Sequence, residues 1–250
     1  MGDMGPRLQL VVPCYNEAER LTPQPFLDAI AGDPALHLLF VDDGSTDRTA
    51  EALDGLASAA GGRAAVLRLQ PNVGKGGAVR AGVLAALDSQ PAYVGFWDAD
   101  LATPLAALPE FMDVFETRPE VELVMGARVQ LLGRDVRRSP VRHYAGRVFA
   151  TAASFALGLP VYDTQCGAKI FRANGTLREA FGRPFRSRWI FDVEILSRYI
   201  AALGRAEAAR RIYELPLTRW TNVPGSKLKL HDGVRAAWDL VRISAARRRS

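Results

Sequence analysis

Asp98-Ala99-Asp100 closes the apolar run Tyr93–Trp97. On an extended chain, residues two apart point to the same side. Two carboxylates so placed can hold one hard divalent cation, Mg²⁺ or Mn²⁺, usually shared with substrate phosphates. A second acidic pair, Asp42-Asp43, ends another apolar run and leads into Gly44-Ser45-Thr46-Asp47. A carboxylate there can accept from a nucleobase imide N–H, while the glycine and hydroxyl residues suit a turn and a helix cap. The first apolar run enters Pro13-Cys14-Tyr15-Asn16-Glu17, where Tyr15 could support a base face and Glu17 contact a ribose. Asn72 to Arg80 is a Gly-rich loop entering a helix and matches neither GxxxxGK[ST] nor GxGxxG. Its backbone N–H groups with Lys75, and Arg80 one turn on, are candidates for anionic phosphate. Each segment alone also has a plain reading as a solvated turn or cap.

These segments need strands that end together. Short apolar runs at 8–13, 38–41, 65–69, 93–97 and 123–125 alternate with helix-competent stretches at 25–30, 46–60, 77–89 and 104–115. That alternation predicts an α/β fold with a mostly parallel central sheet flanked by helices. Open sheets of this kind bind ligands at the carboxyl ends of their strands. Thr46 or Asp47 is expected to cap the second helix, and Thr103 the helix that Pro104 opens. The second half is less regular. It reads as an Arg-rich loop at 128–140, a helix at 143–157, a turn at 158–163, a strand at 166–171, a helix at 192–203, a strand at 212–217 and a helix at 231–249.

Composition narrows the class. The 250 residues are 48% hydrophobic and 24% charged, as expected of a globular domain. The net charge of +5 is too mild for a dedicated nucleic-acid binder, and no aromatic-basic platform is evident. It suits anionic small molecules or a membrane surface. Cys14 and Cys166 form no CxxC or Cys/His cluster and read as small buried side chains in a reducing compartment. No stretch approaches the roughly 20 apolar residues of a bilayer span, and the start lacks the regions of a signal peptide. The expectation is a soluble, cytoplasmic protein with a single domain over residues 1–230 and a basic amphipathic helix or tail over 231–250. Val234, Trp238, Val241 and Ala245 share one stripe of that tail, and such a helix can lie on an anionic membrane.

The order Val12-Pro13-Cys14-Tyr15-Asn16-Glu17, Val41-Asp42-Asp43-Gly44-Ser45, Gly74-Lys75-Gly76-Gly77 and Asp98-Ala99-Asp100 resembles that of family 2 inverting glycosyltransferases. The resemblance implies the GT-A nucleotide-sugar fold, with Pro13, Tyr15, Glu17, Asp42 and Asp43 near the base and ribose. It also implies Mg²⁺ or Mn²⁺ between Asp98/Asp100 and the donor diphosphate. Residues 163–171, 188–196 and 220–228 resemble motifs of dolichyl-phosphate glucosyltransferases and their bacterial polyprenyl-phosphate counterparts. Mannosyl relatives often carry Gln where Ala102 stands here, so the likeness favours glucose from UDP-glucose. A polyprenyl phosphate is the implied acceptor, and β-linked polyprenyl phosphoglucose and UDP the products.

Arg128 and Arg142 resemble the acceptor-phosphate arginines of the family, with Lys227 and Arg138 as weaker candidates. Asp163 matches a motif position near the acceptor, able to orient the nucleophile or act as a base. Asp192 and Glu194 do not share a helix face, so only one is expected to reach the site. Alternatives are GDP-mannose as donor, a glycan hydroxyl as acceptor, or a non-catalytic nucleotide-sugar-binding membrane scaffold. A lipid substrate without an anchor in the chain implies peripheral docking on the cytoplasmic face or a membrane-protein partner.

Overall fold

The computed structural model describes residues 6–137 and 140–223, with the side chains of residues 137–145 left aside. The expected roles of Lys227 and of the 231–250 tail lie outside the described residues, as do those of the Arg138 and Arg142 side chains.

A seven-stranded sheet forms the centre. Its strands are β1 (Leu8–Cys14), β2 (Leu36–Asp42), β3 (Ala64–Arg68), β4 (Tyr93–Trp97), β5 (Leu123–Ala127), β7 (Ala168–Arg172) and β8 (Ile212–Pro216), in the order β3-β2-β1-β4-β7-β5-β8. β3, β2, β1 and β4 are mutually parallel, and β5 pairs parallel with β8. Only β7 runs against its neighbours, β4 and β5. The expected mostly parallel α/β sheet is therefore present. β1, β4 and β5 are almost wholly buried, which explains why they read as continuous apolar runs rather than alternating ones.

Helices cover both faces. α3 (Lys75–Ala86), α6 (Gly175–Gly182), α7 (Phe191–Leu203) and part of α5 (Pro140–Leu157) enclose one core with Val11, Val41, Phe96 and Phe171. α1 (Pro23–Gly32), α2 (Thr49–Ala59) and α4 (Leu108–Thr117) enclose the other with Phe40, Trp97 and Ile170. α3 lies close to the sheet because Gly82 is bare: a Cβ there would stand 2.7 Å from Val41 Cγ2 and closer still to Val11. α8 (Arg205–Arg211) returns the chain to β8.

Three local expectations are corrected. α2 begins at Thr49 rather than at residue 46, because Asp47 Oδ1 accepts from the Thr49 N–H (3.0 Å) and hydroxyl (2.6 Å). Thr103 does not cap an α-helix; Pro104 precedes a short 3₁₀ turn, Leu105–Ala107, before α4. The stretch expected as a loop at 128–140 contains β6 (Asp135–Arg137), paired parallel with β9 (Arg219–Thr221).

Candidate active site

The register brings the motifs to one edge. Cys14 pairs with Asp42 and Val11 with Phe96, so Tyr15, Asp43 and Asp98 follow three adjacent parallel strands at their carboxyl ends. β5 runs the same way and delivers Arg128. β7 runs oppositely and therefore starts at this edge, with Ala168 opposite Trp97 and Gly167 beside Asp98.

The turn after β4 is held from several sides. Trp97 is fully buried against Phe111 and donates its Nε1–H to the Thr103 carbonyl (2.7 Å). The Leu101 N–H donates to the Asp98 carbonyl (3.1 Å), so Asp98–Leu101 is a β-turn rather than the extended segment expected. Leu101 takes φ 50°, a left-handed conformation uncommon for leucine. The Asp98 N–H donates to the Gly167 carbonyl (2.9 Å). A Cβ on residue 167 would fall inside the Asp98 carboxylate, so only glycine leaves that carboxylate its place.

Lys75, the first residue of α3, places Nζ 2.5 Å from Asp98 Oδ1. That oxygen is buried, and the lysine ammonium is its partner. Burial alone would lower the Lys75 pKa, but Asp98, with Asp192 and Asp100, outweighs it and holds the ammonium above its ordinary value. Asp100 accepts from the Ala102 N–H (3.1 Å). Burial, then the Asp98 charge, raises its pKa. The two carboxylates are a hard-oxygen donor set, and an ammonium already stands against one of their oxygens, where a cation would sit. The residues present therefore fit a divalent cation. No group of three or more His, Cys, Asp or Glu gathers among the described residues, so the remaining positions would fall to substrate oxygens and water.

Behind this pair lies a second one. Lys169 in β7 is fully buried. Its Nζ donates to the carbonyls of Thr164 (3.0 Å) and Cys166 (2.6 Å) and sits 2.7 Å from Asp192 Oδ1. Burial raises the Asp192 pKa against the opposing pull of Lys169 and Lys75. Glu194 turns elsewhere, accepting from the Arg186 N–H and Arg198 (both 2.8 Å), so of the two α7 acids only Asp192 joins the cluster.

On the first-strand side, Tyr15 is partly exposed and Pro13 pairs opposite Val41. Glu17 accepts from Arg20 at 2.9 and 2.5 Å. The acidic pair after β2 is turned inward. Asp42 Oδ1 accepts from the Ser45 N–H (3.0 Å). Asp43 accepts from the N–H groups of Val73 (2.8 Å) and Gly74 (2.9 Å), so its carboxylate fastens the Gly-rich loop. Burial raises the Asp43 pKa and those two bonds oppose it. Arg80 does not point at a phosphate site. It donates to the α6 carbonyls of Phe181 (2.8 Å) and Gly182 (2.7 Å), pinning α6 to α3.

The residues expected on the acceptor side form a tight unit. Arg128 Nε and Nη2 reach the two Asp163 oxygens at 2.6 and 2.8 Å, and the Arg128 N–H adds a third bond at 3.0 Å. Burial works against the Arg128 charge, but Asp163 more than restores it and the pKa is raised. Glu214, which the sequence reading passed over, accepts the N–H groups of Tyr162 (2.7 Å) and Asp163 (2.8 Å) and fixes that turn. Arg147 was also missed. Its guanidinium lies 3.7 Å over the Tyr162 ring and donates to the Tyr162 carbonyl (3.2 Å). Arg128, Arg147, Tyr162, Asp163 and Gln165 line one small cavity. Arg147 lay inside a helix that read as ordinary, and only its return against the 158–163 turn reveals it.

This sheet, with its carboxylate turn and Gly-rich loop at one edge, defines a GT-A glycosyltransferase. Residues 9–178 match the family described as Glycosyl transferase family 2, and the chain belongs to that family. It is 32% identical to a dolichyl-phosphate beta-glucosyltransferase of Trichomonas vaginalis, over 94% of this chain and 69% of the relative. The dolichyl-phosphate beta-glucosyltransferase of Homo sapiens is also 32% identical, over 89% of this chain and 69% of the relative. Among solved structures, glucosyl-3-phosphoglycerate synthase from Mycobacterium tuberculosis, in complex with Mn²⁺, UDP and glucosyl-3-phosphoglycerate, shares the fold. Its TM-score is 0.67 at 20% identity, covering 97% of this chain and 80% of that one.

Proposed function

We propose that this glycosyltransferase moves glucose from UDP-glucose to a polyprenyl phosphate of the dolichyl type, giving β-linked polyprenyl phosphoglucose and UDP. One observation carries the reading: the segment Asp163–Gly167 joins two sites. Its first residue grips Arg128, and its last abuts Asp98. An anion-binding arginine and a carboxylate pair suited to a cation are thus fixed to each other through five residues. The relatives named for dolichyl phosphate and glucose support the substrates, and the structural relative that binds Mn²⁺ and UDP-glucose supports the donor and metal.

The chemistry follows from the residues. A phosphate monoester is largely ionised near neutral pH, so attack on the anomeric carbon needs positioning more than a strong base. Asp163 is engaged by Arg128 and acts by orienting it. Arg128 Nη1, without a hydrogen bond or ion pair among the described residues, and Arg147 on the facing helix are the groups that hold the acceptor phosphate. Asp98 and Asp100 would hold Mg²⁺ or Mn²⁺, which offsets charge on the departing nucleoside diphosphate. Lys75 bounds the diphosphate side, on a loop whose Val73 and Gly74 N–H groups Asp43 already takes. Tyr15 supports the base.

No helix among the described residues is long and apolar enough to cross a membrane. Peripheral docking on the cytoplasmic face fits α5. One face of it supplies Arg147 to the cavity, while Val148 and Phe155, 73% and 83% exposed, stand with Ala152 on the other. A lipid whose phosphate enters beside Arg147 leaves its chain near that apolar stripe. The test is acceptor choice. Polyprenyl phosphate is expected to accept glucose while the dephosphorylated polyprenol does not, and R147A is expected to raise the acceptor KM well above its effect on the donor KM. Equal transfer to the alcohol would overturn the reading.

A further inference from the structure

Lys75 is more than a phosphate-side cation. Its ammonium stands 2.5 Å from the buried Asp98 Oδ1 and pairs with it. A divalent cation bound directly by that oxygen needs the same space. Two cations cannot share it, because their repulsion at a few ångströms is large in a half-buried site. Lys75 also feels Asp192, a carboxylate outside the proposed metal pair, so negative charge remains near it when it leaves Asp98. Asp192 in turn keeps its own counter-ion, the immobile Lys169.

We infer that Lys75 is a built-in counter-cation that occupies the divalent-metal position on Asp98 until a nucleoside diphosphate arrives, so that metal and diphosphate bind synergistically. Without diphosphate, metal must expel an ammonium from its carboxylate. With diphosphate present, the expelled ammonium gains phosphate oxygens, and the metal gains them too. The lysine thus keeps Asp98 neutralised and in place in the empty enzyme, and suppresses metal capture without substrate. The inference rests on the metal reading given above and goes beyond it in assigning order and coupling to the two ligands.

The test is Mn²⁺ binding to the full chain, read by calorimetry or by the loss of the free Mn²⁺ spin-resonance signal, with and without UDP. No turnover is involved. Wild type is expected to bind Mn²⁺ at least about tenfold more tightly with UDP than without it, an effect of more than about 1.4 kcal/mol. K75M is expected to bind Mn²⁺ alone about tenfold more tightly than wild type and to lose most of the UDP enhancement. K75R, which keeps the charge, should stay near wild type. K75Q serves if K75M does not fold, and a D98N background should abolish the gain. Unchanged or weaker Mn²⁺ binding in both neutral variants, with wild type binding normally, overturns the inference and leaves the proposed transfer reaction standing. Absence of Mn²⁺ binding in every form, even with UDP, overturns both the inference and the metal assignment.

Discussion

Replacing Asp163 by Asn separates two roles that its place in the sequence leaves open, general base and holder of Arg128. The side chains of Arg128 and Asp163 are only 17% and 7% exposed, and three hydrogen bonds join the two residues. Asparagine keeps one acceptor and turns an N–H₂ donor towards the guanidinium, leaving a buried charge without its counter-ion. Breaking a buried pair from one side costs about 3–5 kcal/mol, and the retained acceptor places D163N near the lower end. At about 2–4 °C per kcal/mol for a chain of this size, the melting temperature should fall by about 6–12 °C. Differential scanning calorimetry measures this directly. The double variant D163N/R128M should be less destabilised than the sum of the two single changes by at least about 0.5 kcal/mol, because it removes the stranded charge. A D163N protein that melts within about 2 °C of wild type and yet has no activity would refute the argument. Its carboxylate would then act on substrate, and its grip on Arg128 would be incidental.

Three other outcomes are expected. G167A puts a methyl into the Asp98 carboxylate; overpacking should cost about 1–3 kcal/mol, and Mn²⁺ binding measured by calorimetry should be lost while the fold survives. Glu214 is held above its ordinary value of 4.5, chiefly by burial and against the N–H groups of Asp163 and Tyr162. The folded chain therefore keeps a proton that the unfolded chain has released, so this group's contribution to stability is greatest below 4.5 and declines as pH rises through its raised folded value. Melts of wild type and E214Q across that window should diverge, with the variant showing the shallower fall; parallel curves would count against the burial argument. F155D should reduce co-sedimentation with anionic vesicles several-fold while leaving UDP binding unchanged; equal sedimentation would move the membrane contact away from α5.

The candidate site's motifs and their meeting at one sheet edge were legible because each motif is local in sequence. Asp98 and Asp100 follow an apolar strand, and the parallel register then places them beside the ends of β1 and β2. What was not legible depends on contacts across long separations. Asp43 and Asp42 look like ligand-facing acids, yet backbone N–H groups claim both, and nothing in Asp42-Asp43-Gly44 announces the partner loop at 72–74. Arg80 lies in the helix that Lys75 opens, but α6 carbonyls about a hundred residues away take its donors. Lys169 sits in a short apolar strand where a lysine looks misplaced. That mismatch was the available signal for a buried ion pair, because a buried ammonium needs a counter-ion and the strand itself contains none. β6 was missed because three residues paired with another three-residue strand leave almost no periodicity to read.

The central claim is that one sheet edge joins a nucleotide-sugar site to a lipid-phosphate site. Its most direct measurement is nuclear magnetic resonance of the product made from UDP-glucose and a short polyprenyl phosphate in the presence of Mg²⁺. The account predicts a β-configured glucosyl phosphodiester formed in step with UDP. An α-configured product, or UDP released by hydrolysis with no sugar on the lipid phosphate, would contradict it.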